Sequence, residues 1–433
     1  MLKCYLGSRI NRLPYTLLPK IGRLYNHYRR SISNYNNETN KKEYIFSNIY
    51  QVVEYALNNI EFYRTFYKSK GFTLEQLQSF DDISKIPLLT KGDLLNVPID
   101  ERSVLIPNIK IVNTGGSTGV PLSLYKSSDS RIKEMAFYHS AWSKLGYSKD
   151  KIRMQFVGRQ KSTGLKYELA RNEFRVSVYE PFQDLLKSLS IVNKRRVVEF
   201  IQGYPSVIYE FALYCMMHPE EYSKSMLNNS LKGIFFNSEY PQPLFLQTIK
   251  DFFCVPVIAS YGHTEGVVLA FDYGFGYMVN QAYGYAEAVE MKDGVHLVGT
   301  TYDNFASPLI RYDTDDLMDD ITIDSGILQS FKMTTGGRIG QYVEDKDGKK
   351  LSLTGLIFGK HHDLFDYCSQ LQVSQKNRGE IIIYYVPIRE LPSNIPPSQL
   401  FDSAGLKLDI SFKKIDQPIK TTSGKVLLLV DEL

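Results

Sequence analysis

The spacing of apolar residues predicts a helical start to the chain. Apolar and aromatic side chains recur at helical spacing between about 43 and 70, which predicts a pair of buried helices. In the next segment, IPLLTKGDLL at 86–95, Pro87 favours an extended chain, and Thr90 is typical of an N-cap for a helix that starts near Lys91. The first 30 residues are basic and aromatic without a continuous apolar core, so we expect a helix-rich start rather than a signal peptide. A solvated helix is favoured, and contact with a membrane or a partner is the alternative.

The middle of the chain alternates short apolar runs with helical patterns from about 103 to 335. The runs are KIVNT (110–114), KIRMQFVG (151–158), VVEFIQGY (197–204), LKGIFFNS (231–238) and VPVIASYG (255–262). Alternation of strand, turn and helix predicts α/β layers. From about 279 to 335 the apolar period falls to two and glycine turns appear, which predicts an antiparallel subdomain.

A domain boundary is expected near GGRIGQYV at 336–343. Beyond it lie strand-like pieces and one or two helices, which predict a small α+β domain. The strand-like pieces are EIIIYYVPI (380–388), LDISFKKI (408–415) and VLLLV (426–430).

Composition narrows the function classes. The chain has 433 residues and is 43% apolar, and its net charge of +4 gives no sign of a nucleic-acid-binding surface. Four widely spaced cysteines without a CxxC pair favour buried free thiols in a reducing cytoplasm over a zinc site or disulfides. No apolar run approaches the length of a membrane span.

Two glycine-containing loops carry candidate chemistry. Residues 113–121, NTGGSTGVP, follow a strand-like run, and glycine N–H groups with Ser and Thr hydroxyls can wrap oxyanions, although a plain turn is the alternative. The Gly-Lys-Ser/Thr ending of a Walker A loop is missing. Residues 260–266, SYGHTEG, follow another strand; Tyr261 could stack on a base, Thr264 could bond a phosphate and Glu265 could hold Mg²⁺. For His263, a local structural role or contact with an acyl group is favoured over acid–base chemistry.

Three further motifs lie nearer the C-terminus. In PLIRYDTDDL at 308–317, three acids within four positions suit a carboxylate that accepts ribose hydroxyls, with a surface turn as the alternative. In GGRIGQ at 336–341, an arginine beside glycines can bind a nucleotide next to a hinge. In TTSGK at 421–425, Lys425 follows a Ser-Gly turn, where a surface lysine is the alternative.

In this order, the five motifs resemble the signature of the acyl-adenylate-forming superfamily. FYRTFYKSKG (62–71), IPLLTKGDLL (86–95) and GYPSVIYEFA (203–212) resemble the branch that contains phenylacetate–CoA ligase and CapK. The resemblance runs from about 45 to 430. It implies an α/β fold with a large multi-layer N-terminal domain (1–338) that includes the antiparallel subdomain. It also implies a small, mobile α+β C-terminal domain (342–433) that carries the catalytic lysine.

The resemblance also implies roles for individual residues. Nucleotide phosphates are assigned to Thr114, Gly115, Gly116, Ser117, Thr118 and Gly119. Adenine and the neighbouring nucleotide atoms are assigned to Glu239, Tyr261 and Gly262. The remaining roles are Thr264 for the α-phosphate, Glu265 for Mg²⁺, Asp316 for ribose, Arg338 for ribose or phosphate, Gln341 for the hinge and Lys425 for catalysis. Thr264 and Glu265 count as catalytic with Lys425.

Three positions depart from the family pattern. Val120 stands where many relatives have Lys before the proline, so phosphate charge must be met elsewhere. Asp315 replaces the usual glycine before the ribose aspartate, and Asp tolerates left-handed geometry. Gln341 stands where a hinge aspartate is common.

The implied reaction joins a small carboxylic acid to ATP, releases pyrophosphate and passes the acyl group to a nucleophile. Coenzyme A is the favoured acceptor. An amine of a sugar or amino acid in surface-polysaccharide assembly, a carrier-protein thiol, and a non-catalytic nucleotide-binding relative remain alternatives. The acid is not readable from the sequence; residues 137–147 (Phe137, Tyr138, Trp142 and Tyr147 among them) either line an acyl pocket or pack as an ordinary helix.

Overall fold

The computed structural model describes residues 19–114, 122–127, 129–158, 164–338, 342–358, 362–392, 394–421 and 426–431. Its α-helices are Pro19–Asn37, Lys41–Asn59, Glu61–Ser69, Lys91–Leu95, Ser130–Trp142, Phe182–Val192, Pro205–Met217, Pro219–Lys224, Leu227–Ser230, Pro243–Phe253, Leu353–Phe358 and Pro397–Leu400. Short 3₁₀ helices are Leu74–Gln76, Phe80–Lys85, Ile99–Glu101, Ser143–Leu145, Leu169–Arg171 and Asp363–Asp366.

The strands are numbered in chain order. They are β1 (Ile109–Asn113), β2 (Ser123–Ser127), β3 (Arg153–Val157), β4 (Lys166–Glu168), β5 (Glu173–Ser177), β6 (Phe200–Gly203), β7 (Gly233–Phe236), β8 (Val257–Gly262), β9 (Leu269–Asp272), β10 (Tyr277–Val279), β11 (Gly284–Met291), β12 (Gly294–Thr301), β13 (Tyr312–Asp324), β14 (Ile327–Arg338), β15 (Tyr342–Glu344), β16 (Lys350–Ser352), β17 (Cys368–Ser374), β18 (Glu380–Pro387) and β19 (Asp409–Lys414).

One compact unit contains Lys149–Val257 and the described residues from Thr334 onward. Within Lys149–Val257, strands β7, β6, β3 and β5 pair in parallel, and β4 adds an antiparallel edge. These strands are buried over most of their length, as parallel strands with connecting helices are. The α/β layers expected from the alternating apolar runs are present.

The last part of the same unit has a hydrophobic core of its own. A hairpin of β15 and β16 precedes a three-stranded sheet in which β18 pairs antiparallel with β17 and parallel with β19. The core includes Val343, Leu353, Leu364 and Ile383, all fully buried. This is the small α+β arrangement predicted for the C-terminal region.

The other compact unit contains Leu13–Ser148 and Ile258–Met333, as far as these ranges are described. Its main sheet runs β11-β12-β13-β14-β10-β9-β8. The pairings along it are antiparallel, as predicted for 279–335. Strands β1 and β2 form a separate hairpin.

Two helical predictions in this unit are confirmed. Helices Lys41–Asn59 and Glu61–Ser69 bury the apolar stripe that the spacing indicated. Thr90 caps the helix that begins at Lys91, and its side chain accepts a hydrogen bond from the Asp93 N–H while the Asp93 carboxylate accepts from the Thr90 N–H.

Two predictions fail in detail. The VLLLV segment forms isolated bridges rather than a regular strand, because the Gln372 side chain takes backbone groups that a ladder would use: its amide bonds Leu427 O at 2.7 Å and Ile419 O at 2.9 Å. Cys254 is exposed rather than buried, because it ends helix Pro243–Phe253 in a left-handed conformation with φ of 52°. Cys215 and Cys368 are buried free thiols as expected.

Among the described helices, none is long and apolar enough to cross a membrane.

Candidate active site

The hydroxyl of Tyr261 joins two candidate motifs. Strand β8 ends at Gly262, so Tyr261 lies at the end of a buried run. Its hydroxyl donates to Asp316 Oδ2 at 2.6 Å, and its ring meets Phe331 edge-to-face at 5.6 Å. The sequence placed these two residues 55 positions apart, and the fold brings them into direct contact.

The acidic loop around Asp316, residues 313–316, is a bulge within β13, where the register against β12 shifts between His296 and Val298. Asp315 has a φ of 59°, the left-handed geometry that Asp tolerates in place of glycine. The Asp315 N–H donates to Asp313 Oδ1 at 3.0 Å, and the Asp316 N–H donates to Thr314 Oγ1 at 3.3 Å. Asp316 is 3% exposed, so its carboxylate is held inside the protein rather than in a surface turn.

Arg311 anchors the start of this loop. It has a left-handed φ of 47° and donates to both carboxylate oxygens of Glu287, at 2.7 and 3.1 Å. The same guanidinium donates to the carbonyls of Ser84 and Ile86, and the Leu89 N–H donates to Arg311 O. The IPLLTKG segment is thereby tied to the loop. Burial raises the pKa of Glu287, and Arg311 opposes that rise. Nothing in the sequence pattern indicated Glu287 as the partner.

His296 supports the loop from β12. Its Nδ1 lies 3.1 Å from both oxygens of Asp313, and its Nε2 lies 3.0 Å from Asp293 Oδ1. Burial pushes the pKa of His296 down, but the hydrogen bonds to the two carboxylates outweigh it, and the pKa is raised. No sequence motif indicated His296, because Asp313 becomes its partner only when β12 and β13 pair.

A tight turn presents Thr264 and Glu265. The Gly266 N–H donates to His263 O at 3.0 Å, and Gly266 has a φ of 72°. Glu265 Oε2 lies 3.1 Å from His263 Nδ1, and both side chains are largely buried, at 12% and 8% exposure. His263 Nε2 has no partner in the described part of the chain. The Glu265 contact supports the local structural role that was favoured for His263.

Thr114 closes the base of the glycine-rich loop. The Thr114 N–H donates to Leu122 O at 2.9 Å, and the Leu122 N–H donates to Thr114 Oγ1 at 3.0 Å. Thr114 is 6% exposed, so its hydroxyl serves the loop base. The loop residues Gly115, Gly116, Ser117, Thr118 and Gly119 lie outside the described residues.

Helix Ser130–Trp142 approaches the turn through Tyr138. A Cβ added to Gly262 would lie 3.3 Å from Leu269 Cδ1 and 3.9 Å from the Tyr138 hydroxyl. Phe137 instead packs edge-to-face on Tyr283, and Trp142 on Tyr147. Tyr138 therefore borders the candidate site. Phe137, Trp142 and Tyr147 pack against other aromatic side chains, which agrees with the alternative of ordinary helix packing.

Glu239 lies in the other unit, where it binds two backbone N–H groups. Ser206 N, in the first turn of helix Pro205–Met217, donates to Glu239 Oε2 at 3.2 Å. Val426 N donates to Glu239 Oε1 at 3.0 Å. Val426 directly follows Lys425, so Glu239 holds the chain beside the predicted catalytic lysine. Lys425 and Gln341 lie outside the described residues, and Arg338 is the last residue of β14.

A buried ion pair lies in the same unit. Lys420 Nζ is 3.5 Å from Glu210 Oε2, with side-chain exposures of 10% and 15%. Burial raises the pKa of Glu210, and Lys420 opposes the rise. No sequence motif indicated this pair, because a single Glu in a helix and a single Lys in a loop do not form a recognisable motif.

The donor set at the turn suits a magnesium–nucleotide complex. Mg²⁺ is commonly held by one or two carboxylates together with substrate phosphates and water. Glu265 supplies one such carboxylate, and no group of three or more metal-ligating side chains occurs in the described part of the chain.

Solved structures share this architecture. A crystal structure of 2-hydroxyisobutyryl-CoA ligase in the postadenylation state, in complex with R3-HIB-AMP, matches with a TM-score of 0.65 and 15% identity over 90% of each chain. The same ligase in complex with 2-HIB-AMP matches with a TM-score of 0.62 and 16% identity over 90% of each chain. Its complex with 2-HIB-AMP and CoA in the thioesterification state matches with a TM-score of 0.54, also at 16% identity and 90% coverage of both.

The chain has the fold of this CoA ligase. No family model matches it, and no curated protein sequence does. Within this ligase fold, the described contacts bring Tyr261 to Asp316 and His263 to Glu265 in one unit, and Glu239 to the residue after Lys425 in the other.

Proposed function

We propose that this protein activates a carboxylic acid with ATP, releases pyrophosphate and transfers the acyl group to coenzyme A. The observation that carries the proposal is the Tyr261–Asp316 hydrogen bond beside the turn that presents Thr264 and Glu265. It is supported by a fold shared with a ligase that was crystallised with R3-HIB-AMP and with 2-HIB-AMP.

The proposed nucleotide contacts follow from the chemistry of each side chain. Asp316 is a buried carboxylate in β13, directly after the left-handed Asp315, and two vicinal ribose hydroxyls are suitable donors to it. The Tyr261 ring offers an apolar face for adenine while its hydroxyl keeps Asp316 oriented. Thr264 would donate to the α-phosphate, and Glu265 would hold Mg²⁺, which when bound offsets phosphate charge.

In the proposed reaction the protein mainly positions the acid and the nucleotide, and it forms no covalent bond to either. A carboxylate oxygen of the acid forms a bond to the α-phosphorus while the bond from that phosphorus to the pyrophosphate oxygen breaks. The coenzyme A thiolate then bonds to the acyl carbon, and AMP leaves with the oxygen that came from the acid. Thr264 and Lys425 would stabilise charge as it shifts in the first step, which is where fixed donors contribute most.

The proposed acceptor is coenzyme A because the structurally similar 2-hydroxyisobutyryl-CoA ligase was crystallised in complex with 2-HIB-AMP and CoA. We further place the chain in the phenylacetate–CoA ligase/CapK branch, on the motifs at 62–71, 86–95 and 203–212. Transfer to an amine, as a role in surface-polysaccharide assembly would require, is the competing outcome of the acceptor experiment.

A panel of acids with ATP, Mg²⁺ and purified protein tests the proposal. Acid-dependent pyrophosphate release should appear for at least one aromatic, hydroxy or sugar acid, and coenzyme A should raise its turnover with formation of a thioester. If an amine, but not coenzyme A, raises turnover, the acceptor is wrong and the activation step stands. Tight ATP binding without pyrophosphate release for any acid would identify a non-catalytic nucleotide-binding relative.

A further inference from the structure

Lys126 is a buried cation with no hydrogen bond among the described residues. It lies on β2, the strand that follows the glycine-rich loop, and is 8% exposed. The nearest carboxylate oxygen in an ion pair is Glu134 Oε1, 3.9 Å from Lys126 Nζ and beyond hydrogen-bond distance. Burial lowers the pKa of Lys126, and Glu134 only partly opposes this. A buried charge in this state is costly unless something else uses it.

Lys133 shows how the same protein normally satisfies a buried lysine. It is 6% exposed, and its Nζ donates to Tyr283 O at 2.6 Å and to Asp303 Oδ1 at 2.7 Å. Both lysines lie in the same compact unit and are buried to a similar extent. The two lysines differ in their partners: Lys133 makes two short hydrogen bonds, whereas Lys126 has only the 3.9 Å ion pair with Glu134.

Lys126 Nζ and the Tyr283 hydroxyl converge beside the turn that follows Glu265. A Cβ added to Gly266 would lie 3.0 Å from Lys126 Nζ and 3.4 Å from Tyr283 Oη. The Tyr283 hydroxyl also lacks a hydrogen bond within the described ranges, and burial raises its pKa well above the usual value, so it remains a donor. Two unused donors, one of them cationic, therefore face the same side of Gly266.

The glycine-rich loop contains no basic residue that could offset the negative charge of nucleotide phosphates. Residues 113–122, NTGGSTGVPL, contain neither Lys nor Arg. An ATP polyphosphate carries three to four negative charges, and phosphate oxygens are strong acceptors for ammonium groups. Lys126 is the first cation after that loop, and its ammonium reaches the turn next to Glu265.

We propose that Lys126, assisted by the Tyr283 hydroxyl, is a further nucleotide-binding residue that bonds polyphosphate oxygens beside Gly266. This assignment rests on the proposed ATP-dependent function. It makes β2, rather than the glycine-rich loop itself, the source of the cation for the phosphates. Glu134 then keeps the ammonium oriented when the nucleotide is absent.

Titration calorimetry with ATP, AMP and inorganic pyrophosphate, each with Mg²⁺, tests the assignment. Lys126→Met should weaken ATP and pyrophosphate binding by about tenfold or more, and AMP binding by less than about twofold, because a charge-assisted bond to the outer phosphates is lost. Tyr283→Phe should weaken the same two ligands by a smaller factor. Unchanged ATP affinity in Lys126→Met, or an equal loss for all three ligands, would overturn the assignment.

Stability separates this role from a structural one. Lys126→Met removes a buried charge whose ion pair with Glu134 is long, at 3.9 Å, so its Tm should stay the same or rise, whereas Lys133→Met should lower Tm because it breaks two hydrogen bonds. A fall in Tm for Lys126→Met as large as that for Lys133→Met would contradict the proposal. If the wild-type protein binds neither ATP nor pyrophosphate, the proposed function itself is wrong and the assignment falls with it.

Discussion

The hydroxyl of Tyr261 donates a 2.6 Å hydrogen bond to Asp316, and this bond links the end of β8 to the acidic loop in β13. A short bond from a neutral donor to a buried carboxylate is of the charge-assisted kind. It fixes the aromatic ring and the carboxylate relative to each other before any ligand arrives. In the proposed function these two side chains hold the base and the sugar of one nucleotide.

Asp316→Ala should weaken ATP binding by about tenfold to a hundredfold with the fold intact, because bonds to a charged group contribute about 1.5–3 kcal/mol. Calorimetric titration with ATP measures the loss. Tyr261→Phe keeps the ring and removes only the hydroxyl, so it should cost less ATP affinity than Asp316→Ala. Unchanged affinity in Asp316→Ala would remove this carboxylate from the site.

Glu265→Gln should lower pyrophosphate release at least about tenfold at ordinary Mg²⁺ concentrations, since a neutral amide is a much weaker magnesium ligand. The loss should shrink as Mg²⁺ is raised, and thermal melting should change little. Glu290→Gln, an exposed position on β11, is the matched control. Equal activity of Glu265→Gln and wild type across the Mg²⁺ series would exclude the metal-ligand role.

Lys425→Ala should slow adenylation by about a hundredfold or more and largely spare thioester formation, because a lysine that stabilises shifting charge acts in one step. Single-turnover assays that start either from acid and ATP or from pre-made acyl-adenylate and coenzyme A separate the two. Glu239→Gln is a useful companion, since Glu239 accepts the Val426 N–H at 3.0 Å and should affect the same half-reaction less severely. Equal losses in both half-reactions would contradict a lysine used in only one step.

His296 should make stability depend on pH in a defined direction. Its pKa is raised in the folded protein, so its contribution is full below the ordinary histidine pKa of about 6.5 and is lost as pH rises through the raised value. The difference in unfolding free energy between wild type and His296→Gln should therefore shrink on going from mildly acidic to alkaline pH. A difference that grows with pH would show that the imidazole is not held as a cation by Asp313 and Asp293.

The sequence predicted elements better than contacts. The 3.6-residue spacing over 43–70, the capping pattern at Thr90 and the period of two over 279–335 are local signals, and all three appear in the structure. The VLLLV segment misled because its composition is that of a strand, while the outcome was decided by the Gln372 side chain. A local sequence pattern does not show that a side chain will compete with strand pairing for backbone hydrogen bonds.

In the candidate site, too, the sequence indicated individual residues better than their contacts. Asp315 stands where the resembled family usually has glycine and tolerates left-handed geometry, and its φ is 59°. The ion pair of Arg311 with Glu287 and the position of the Lys126 ammonium beside Gly266 depend on residues that are distant in the chain, so no sequence motif indicated them. Motifs identified which side chains matter, and tertiary packing determined how each is held.

The fate of the acid's oxygen atoms tests the central claim most directly. An acid labelled with ¹⁸O in both carboxylate oxygens, incubated with ATP, Mg²⁺, coenzyme A and the protein, should give AMP that carries one labelled oxygen per turnover and unlabelled pyrophosphate. That result requires attack of the carboxylate on the α-phosphorus followed by cleavage at the acyl carbon. Label in inorganic phosphate with formation of ADP, or turnover that leaves AMP unlabelled, would contradict activation through an acyl-adenylate.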